Sequence, residues 1–151
     1  MIRAPPGLTS AMHVLEIRKL SPESIVPTRC HPGDAGLDLY GIEDVTLEPG
    51  QTRAIATGIA LAIPAGHVGL VADRSSMAAR GLTTAGGVID AGYRGEVRVV
   101  IMNLSSRVER LKPGDRIAQL LVLPVALPEP REAKSLPPTS RGAGGFGSTG
   151  A

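Results

Sequence analysis

The stretch Gly95–Leu104, GEVRVVIMNL, decides the fold. Glu96, Val97, Arg98 and Val99 alternate polar and apolar, and the run beyond them is rich in β-branched residues. Alternation of period two with stiff, branched side chains reads as a β-strand with one face buried. Working toward the C-terminus, Lys112-Pro113-Gly114-Asp115 is a turn, and Arg116–Val125 (RIAQLLVLPV) is a second strand-like run. Toward the N-terminus the pattern repeats. Val68–Val71 comes after Ile63-Pro64-Ala65-Gly66-His67, and Gln51–Pro64 (QTRAIATGIALAIP) comes after Glu48-Pro49-Gly50. His13–Leu20 alternates at Leu15, Glu16, Ile17 and Arg18. Short strands separated by Pro- and Gly-bearing turns predict an all-β sandwich or barrel.

One helix is predicted, Ser75–Arg80 (SSMAAR). It has good helix formers, a polar flank in Asp73-Arg74-Ser75 and Gly81 placed to stop it. From Pro128 onward the composition becomes that of a linker, ending in the glycine-rich Arg141–Ala151, which reads as a flexible arm. The expected organisation is a β-barrel domain over 1–133, with 1–12 loosely ordered, and a mobile arm over 134–151.

Composition narrows the function classes. The chain has 151 residues, 42% of them hydrophobic, with no Trp, one Phe and two Tyr, so its core is aliphatic. The net charge of +2 comes from 16 basic and 14 acidic residues, with Arg outnumbering Lys 13 to 3 but dispersed. A nucleic-acid groove wants clustered cations and aromatic platforms, and neither is present. No apolar run approaches the ~18 residues of a membrane span. Met1–Met12 lacks the basic segment and apolar core of a secretory signal. Cys30 is the single cysteine, which excludes an internal disulfide and is read as structural. His13, His31 and His67 are not spaced as metal ligands. A soluble, cytoplasmic protein with no nucleic-acid or membrane partner is expected.

Several residues carry possible chemistry. Arg74-Ser75-Ser76 opens the predicted helix, where unpaired N–H groups, a guanidinium and two hydroxyls suit an anion. Ordinary N-capping by Ser75 accounts for the same residues. Gly86–Gly95 (GGVIDAGYRG) reads either as a β-hairpin with Asp90 in its turn, or as a ligand site. In the second reading Gly87 admits a ligand to the backbone, Asp90 is a general base and Tyr93 a flat surface. Asp38, in Ala35–Tyr40 (AGLDLY), breaks an apolar pattern, and a solvent-facing carboxylate explains it simply. Gln119 in an apolar strand is an interior or edge amide. Phe146 stands alone among glycines in the arm, where N–H and hydroxyl donors can wrap phosphate. No GxxxxGK[ST] loop occurs.

Five segments occur in an order that resembles the trimeric dUTPase family. They are Ala35–Tyr40, Arg74–Ala78 (RSSMA), Gly87–Gly95 (GVIDAGYRG), Gly114–Leu120 (GDRIAQL) and Arg141–Gly150 (RGAGGFGSTG). The resemblance implies a jelly-roll-like β-barrel (β-clip) with one short helix, assembled as a homotrimer with active sites shared between subunits. It implies hydrolysis of dUTP to dUMP and pyrophosphate, which supplies dUMP for thymidylate synthesis and keeps uracil out of DNA. By the same resemblance Asp90 deprotonates the attacking water and Mg²⁺ rides on the phosphates, met by Asp38 through water. Arg74, Ser75 and Ser76 hold the α and β phosphates, and Gln119 reaches near the α position. Arg141, Gly147, Ser148 and Thr149 clamp the γ-phosphate. Gly87, Val88 and Ile89 read the uracil edge, Tyr93 packs under the deoxyribose and Phe146 stacks on the base. Alternatives are a dCTP deaminase of the same fold or a non-catalytic β-barrel binding module. Two residues depart from the family pattern: Asp73 stands where many members have Pro, and Ser76 replaces a common Gly. Asp73 brings a negative charge near the phosphates, which weakens binding slightly unless Arg80 or another basic residue pairs with it. Thr84 stands where some bacterial members have a uracil-contacting Asn.

Overall fold

A computed structural model describes residues 14–145. The expectations for residues 1–12 and for Phe146, Gly147, Ser148 and Thr149 lie outside the described residues. Eleven strands and one helix occur in chain order: β1 Glu16–Lys19, β2 Leu37–Tyr40, β3 Val45–Leu47, β4 Thr52–Ala56, β5 Ile59–Ala62 and β6 His67–Ala72. Then come α1 Ser75–Ala79, β7 Leu82–Ala85, β8 Val88–Ile89, β9 Arg98–Asn103, β10 Glu109–Leu111 and β11 Arg116–Pro124. All pairings are antiparallel and fall into four sheets: β1-β5, β10-β3, β2-β11-β6-β8 and β4-β9-β7. The strands do not close into one continuous barrel; the arrangement is jelly-roll-like and open.

The stretch Gly95–Leu104 behaves as its pattern demands. Along β9, Val99, Ile101 and Asn103 turn inward while Arg98 is exposed. Asn103, fully buried, is satisfied by donating to the carbonyls of Leu47 and Arg107 and accepting from Ser105, as a buried amide requires. One contiguous core gathers Leu39, Leu47, Ile59, Leu82, Val99, Ile101, Leu111, Ile117 and Leu120 from all four sheets. No aromatic ring belongs to it.

Two expectations are corrected. Gln51–Pro64 is not one strand: Gly58 has φ +66°, and the chain turns there between β4 and β5, which belong to different sheets. The segment around Val88 is not half of a local hairpin either, because β8 pairs with β6 while β7 pairs with β9. The helix stops where expected, with Gly81 at φ +83° donating its N–H to the Ala78 carbonyl at 2.9 Å.

Candidate active site

Register assembles the first part of the site. In the central strand β11, Gln119 lies opposite Asp38 of β2 on one side and Ala72 of β6 on the other. A bulge between Arg116 and Ala118 sets that alignment. Directly opposed residues share a face of the sheet, so Asp38 and Gln119 are brought together next to the end of β6, where Asp73 and Arg74 lead into α1. The Gln119 amide donates to the Asp73 carbonyl at 2.7 Å. Gly36 makes room for it, since a Cβ there would overlap the Gln119 carboxamide oxygen. Arg74 Nε donates to Asp38 Oδ1 at 2.7 Å, and Arg116 Nη1 reaches Asp38 Oδ2 at 3.3 Å. A second Arg74 nitrogen reaches Ser76 Oγ and the Arg116 carbonyl, both at 3.3 Å. The hydrogen bond to Asp38, and then its charge, hold the Arg116 guanidinium further above its ordinary value. Asp38, Arg74, Gln119 and Gly36 line an open cavity of about 480 Å³ with Ser75, Asp34 and Cys30.

The structure corrects four readings here. Asp38 is buried rather than solvent-facing, and both its oxygens are taken by arginines. Ser75 is not the N-cap: Arg74 holds that place in extended conformation, with no side-chain cap bond. Arg80 does not neutralise Asp73; it pairs with Glu109 through Nε at 2.9 Å. Cys30 is exposed on the rim of this cavity and is not a core residue.

Asp73 instead binds threonines. Its Oδ1 accepts the Thr84 N–H at 2.6 Å and the Thr84 hydroxyl at 2.7 Å, and its Oδ2 accepts the Thr83 hydroxyl at 2.8 Å. Burial pushes this carboxyl up, but the three hydrogen bonds outweigh it, and the net pKa falls below the ordinary value. Sequence reasoning missed this cluster; an acid with two threonines ten and eleven residues further on has no local signature.

The second part of the site lies elsewhere. The short strand β8 leans on β6, with Val71 N–H donating to the Gly87 carbonyl at 2.7 Å. A Cβ at Gly87 would overlap the Val71 carbonyl oxygen, so the glycine serves close approach of backbone to backbone. Asp90 is exposed, and its carbonyl accepts the Tyr93 N–H at 3.0 Å in a turn. Tyr93 is 46% exposed, folds over Gly95 and donates its hydroxyl to the Glu96 carbonyl. A cavity of about 240 Å³ is bounded by Val71, Gly86, Val88, Ile89, Asp90 and Tyr93.

The two cavities share no lining residue. Asp90, Tyr93 and Ile89 are brought together in one; Asp38, Arg74, Ser75 and Gln119 in the other. Ser76 borders a third hollow with Arg74, Arg80 and Arg116. Arg141 is exposed and turns back on the Gly144 carbonyl at 3.0 Å, away from all of them. Among the described residues no group of three His, Cys, Asp or Glu could hold a metal ion, and no helix is long and apolar enough to cross a membrane.

Comparison with known proteins agrees with the motif order. The dUTPase family model matches residues 22–150. A deoxyuridine 5'-triphosphate nucleotidohydrolase from Nocardia farcinica is 51% identical over 145 residues, covering 93% of this chain and 88% of that protein. A mutant dUTPase of Staphylococcus bacteriophage 80alpha, solved with dUpNHpp, superposes with a TM-score of 0.85 at 31% identity over 92% of this chain and 99% of its own. A mutant dUTPase from phage phi11 of S. aureus, solved to reveal the coordination of a structural Mg(II) ion, gives 0.75 at 30% identity, covering 82% and 98%.

Proposed function

We infer the mechanism from one premise: this chain belongs to the dUTPase family and hydrolyses dUTP to dUMP and pyrophosphate. The family match decides against the deaminase and the non-catalytic module. The roles of individual residues are our assignment.

Asp90 is the general base. It takes a proton from a water aligned for in-line attack on the α-phosphorus. The exposed carboxylate beside a ring and a backbone-lined cavity is the observation that carries this role. Backbone groups of Gly87, Val88 and Ile89 read the uracil edge. Cytosine presents the opposite donor pattern and would leave groups unpaired, at about 1–3 kcal/mol each. Tyr93 packs under the deoxyribose and excludes a 2′-hydroxyl.

Arg74, Ser75 and Ser76 hold the α and β phosphates, and Gln119 reaches the α position. Donors fixed in advance stabilise developing charge without reorganising during reaction. Arg74 is fixed by Asp38 and Gln119 by Asp73. Magnesium would enter as part of the substrate, as Mg–dUTP. It neutralises phosphate charge and fixes the chain's conformation. Asp38, held by Arg74 and Arg116, would face the water shell of that ion. Arg141, Gly147, Ser148, Thr149 and Phe146 close over the nucleotide as an arm spanning 134–151, with 1–133 as the barrel domain. The enzyme works in the cytoplasm as a homotrimer. The separation of Asp90 from Arg74 and Gln119 into cavities with no shared residue supports a site completed between copies.

The test is Asp90→Asn. Turnover of Mg–dUTP drops by about 10²–10⁴-fold, the range of general-base catalysis, while binding of a non-hydrolysable dUTP analogue persists. Turnover near that of the parent would remove Asp90 from the role of base.

A further inference from the structure

Asp73 stands beside the proposed phosphate-binding residues but lines neither cavity. The strand β6 and the strand β7 belong to different sheets. Between their ends runs the segment carrying Arg74, Ser75, Ser76 and all of α1. The Asp73 carboxylate closes that segment at its base with three hydrogen bonds to Thr83 and Thr84, spanning ten and eleven residues. Carboxylate acceptors make the stronger kind of hydrogen bond. The Asp73 carbonyl, meanwhile, is the acceptor that orients Gln119. One residue therefore ties three strands: β6 by continuity, β7 through its carboxylate and β11 through its carbonyl.

We propose that Asp73 is a positioning residue for phosphate binding, a latch that pins the β6–α1 corner to Thr83 and Thr84, so that Arg74, Ser75 and Gln119 keep the geometry with which they hold the α-phosphate. The proposal rests on the phosphate role assigned above to those three side chains. Its logic is local. No ring restricts φ at an aspartate, so this corner needs partners to hold it. The chain supplies them at the two threonines. The carboxylate is consumed by those bonds, and it lines neither cavity. Its charge is thereby kept from opposing the substrate's phosphates.

Loss of the latch displaces donors by fractions of an ångström, and misplacement of that order costs about 10²-fold at most in rate. The base-reading cavity, built from β8 and β6 backbone, is left intact. Three variants test this with steady-state kinetics on Mg–dUTP and with binding of deoxyuridine, which lacks the phosphates, by titration calorimetry. Asp73→Ala is expected to lower kcat by about tenfold to a hundredfold with deoxyuridine affinity within a factor of two. Asp73→Asn restores most of the loss, because its amide oxygen still accepts from Thr84 N–H and its nitrogen donates to a rotated Thr83 hydroxyl. The pair Thr83→Val with Thr84→Val, which removes two of the three bonds, lowers kcat severalfold and carries the test if Asp73→Ala does not fold. A kcat for Asp73→Ala, or failing that for the valine pair, within twofold of the parent overturns the latch. So does a fall in kcat matched by an equal fall in deoxyuridine affinity, which marks general loosening. A parent enzyme that retains full activity after Arg74→Ala would instead overturn the phosphate assignment on which the latch rests.

Discussion

The two cavities are built by opposite means. Around Asp38, side chains hold side chains: of the six ion pairs among the described residues, two converge on Asp38, and Gln119 and Asp73 add four further hydrogen bonds nearby. Around Asp90 one ion pair, Arg98 with Glu96 at 3.5 Å, borders the cavity, and none among the described residues involves Asp90; glycines bring backbone against backbone, and Val88 is left 65% exposed. On the proposed assignment, the contrast reflects what each end handles. A triphosphate carries charge, and charge is best met by donors whose orientation is fixed beforehand. A nucleobase edge is read by N–H and C=O groups, and a strand already holds these in place. The charged end therefore needs a supporting network, and the neutral end needs only a close-packed strand.

The sharpest way to break this comparison is to put the two ends in different molecules. Asp90→Asn disables one cavity, and Arg74→Ala disables the other; each alone loses at least about 10²-fold in kcat. Arg116 stays on Asp38 in the second variant, which limits the damage to folding. If the two ends belong to one chain's site, co-expressing the variants recovers nothing. If each site takes its ends from different copies, random mixing rebuilds about a quarter of the sites. Recovery to that level on a size-exclusion peak of trimer is the expected result.

The next comparison sets one glycine against another. At Gly87 an added Cβ meets the Val71 carbonyl, which is backbone within a sheet and cannot swing aside. Gly87→Ala is expected to push β8 off β6, costing about 1–3 kcal/mol of stability and raising KM for dUTP together with Kd for dUMP. At Gly36 the added Cβ meets the tip of Gln119, a side chain that can turn away. Gly36→Ala should leave the melting temperature nearly unchanged while lowering kcat about tenfold through the displaced amide. Reversed outcomes, with Gly36→Ala the less stable variant, would show that the phosphate end depends on packing rather than on orientation.

The unequal construction also explains which parts were legible in the sequence. Long alternating runs such as those of β9 and β11 announce themselves by period. β8, with two residues, and β3 and β10, with three each, are too short to show one. The motif segments marked where the cavity-lining side chains Asp38, Arg74, Asp90 and Gln119 lie along the chain, and Gly81 marked the helix end. Their partners were hidden, because they arise from tertiary register: Asp38 meets arginines 36 and 78 residues away. An acid in an apolar strand read as solvent-facing for that reason. Asp73 read as a liability because a nearby cation was sought for it, whereas uncharged hydroxyls and an N–H satisfy it across the foot of α1.

The smallest effect concerns that carboxylate and pH. Burial acts to raise the Asp73 pKa, but hydrogen bonds from the Thr84 side chain, the Thr84 N–H and the Thr83 side chain bring it below the ordinary 3.8. A carboxyl whose folded pKa is depressed adds stability above its unfolded pKa and loses it as pH falls through the folded value. The contribution of the latch is therefore constant from about pH 5 upward and fades only below about pH 4. It is modest, because Asp73 is only half-buried and water screens part of its interactions. The measurement is the difference in unfolding free energy between the parent and Asp73→Asn, tracked from neutral pH into strong acid so that other carboxyls cancel. A gap at neutral pH that narrows in acid is the expected curve. A gap that stays level throughout would mean that the ionised form of Asp73 is not what holds the corner, and that shape alone accounts for the latch.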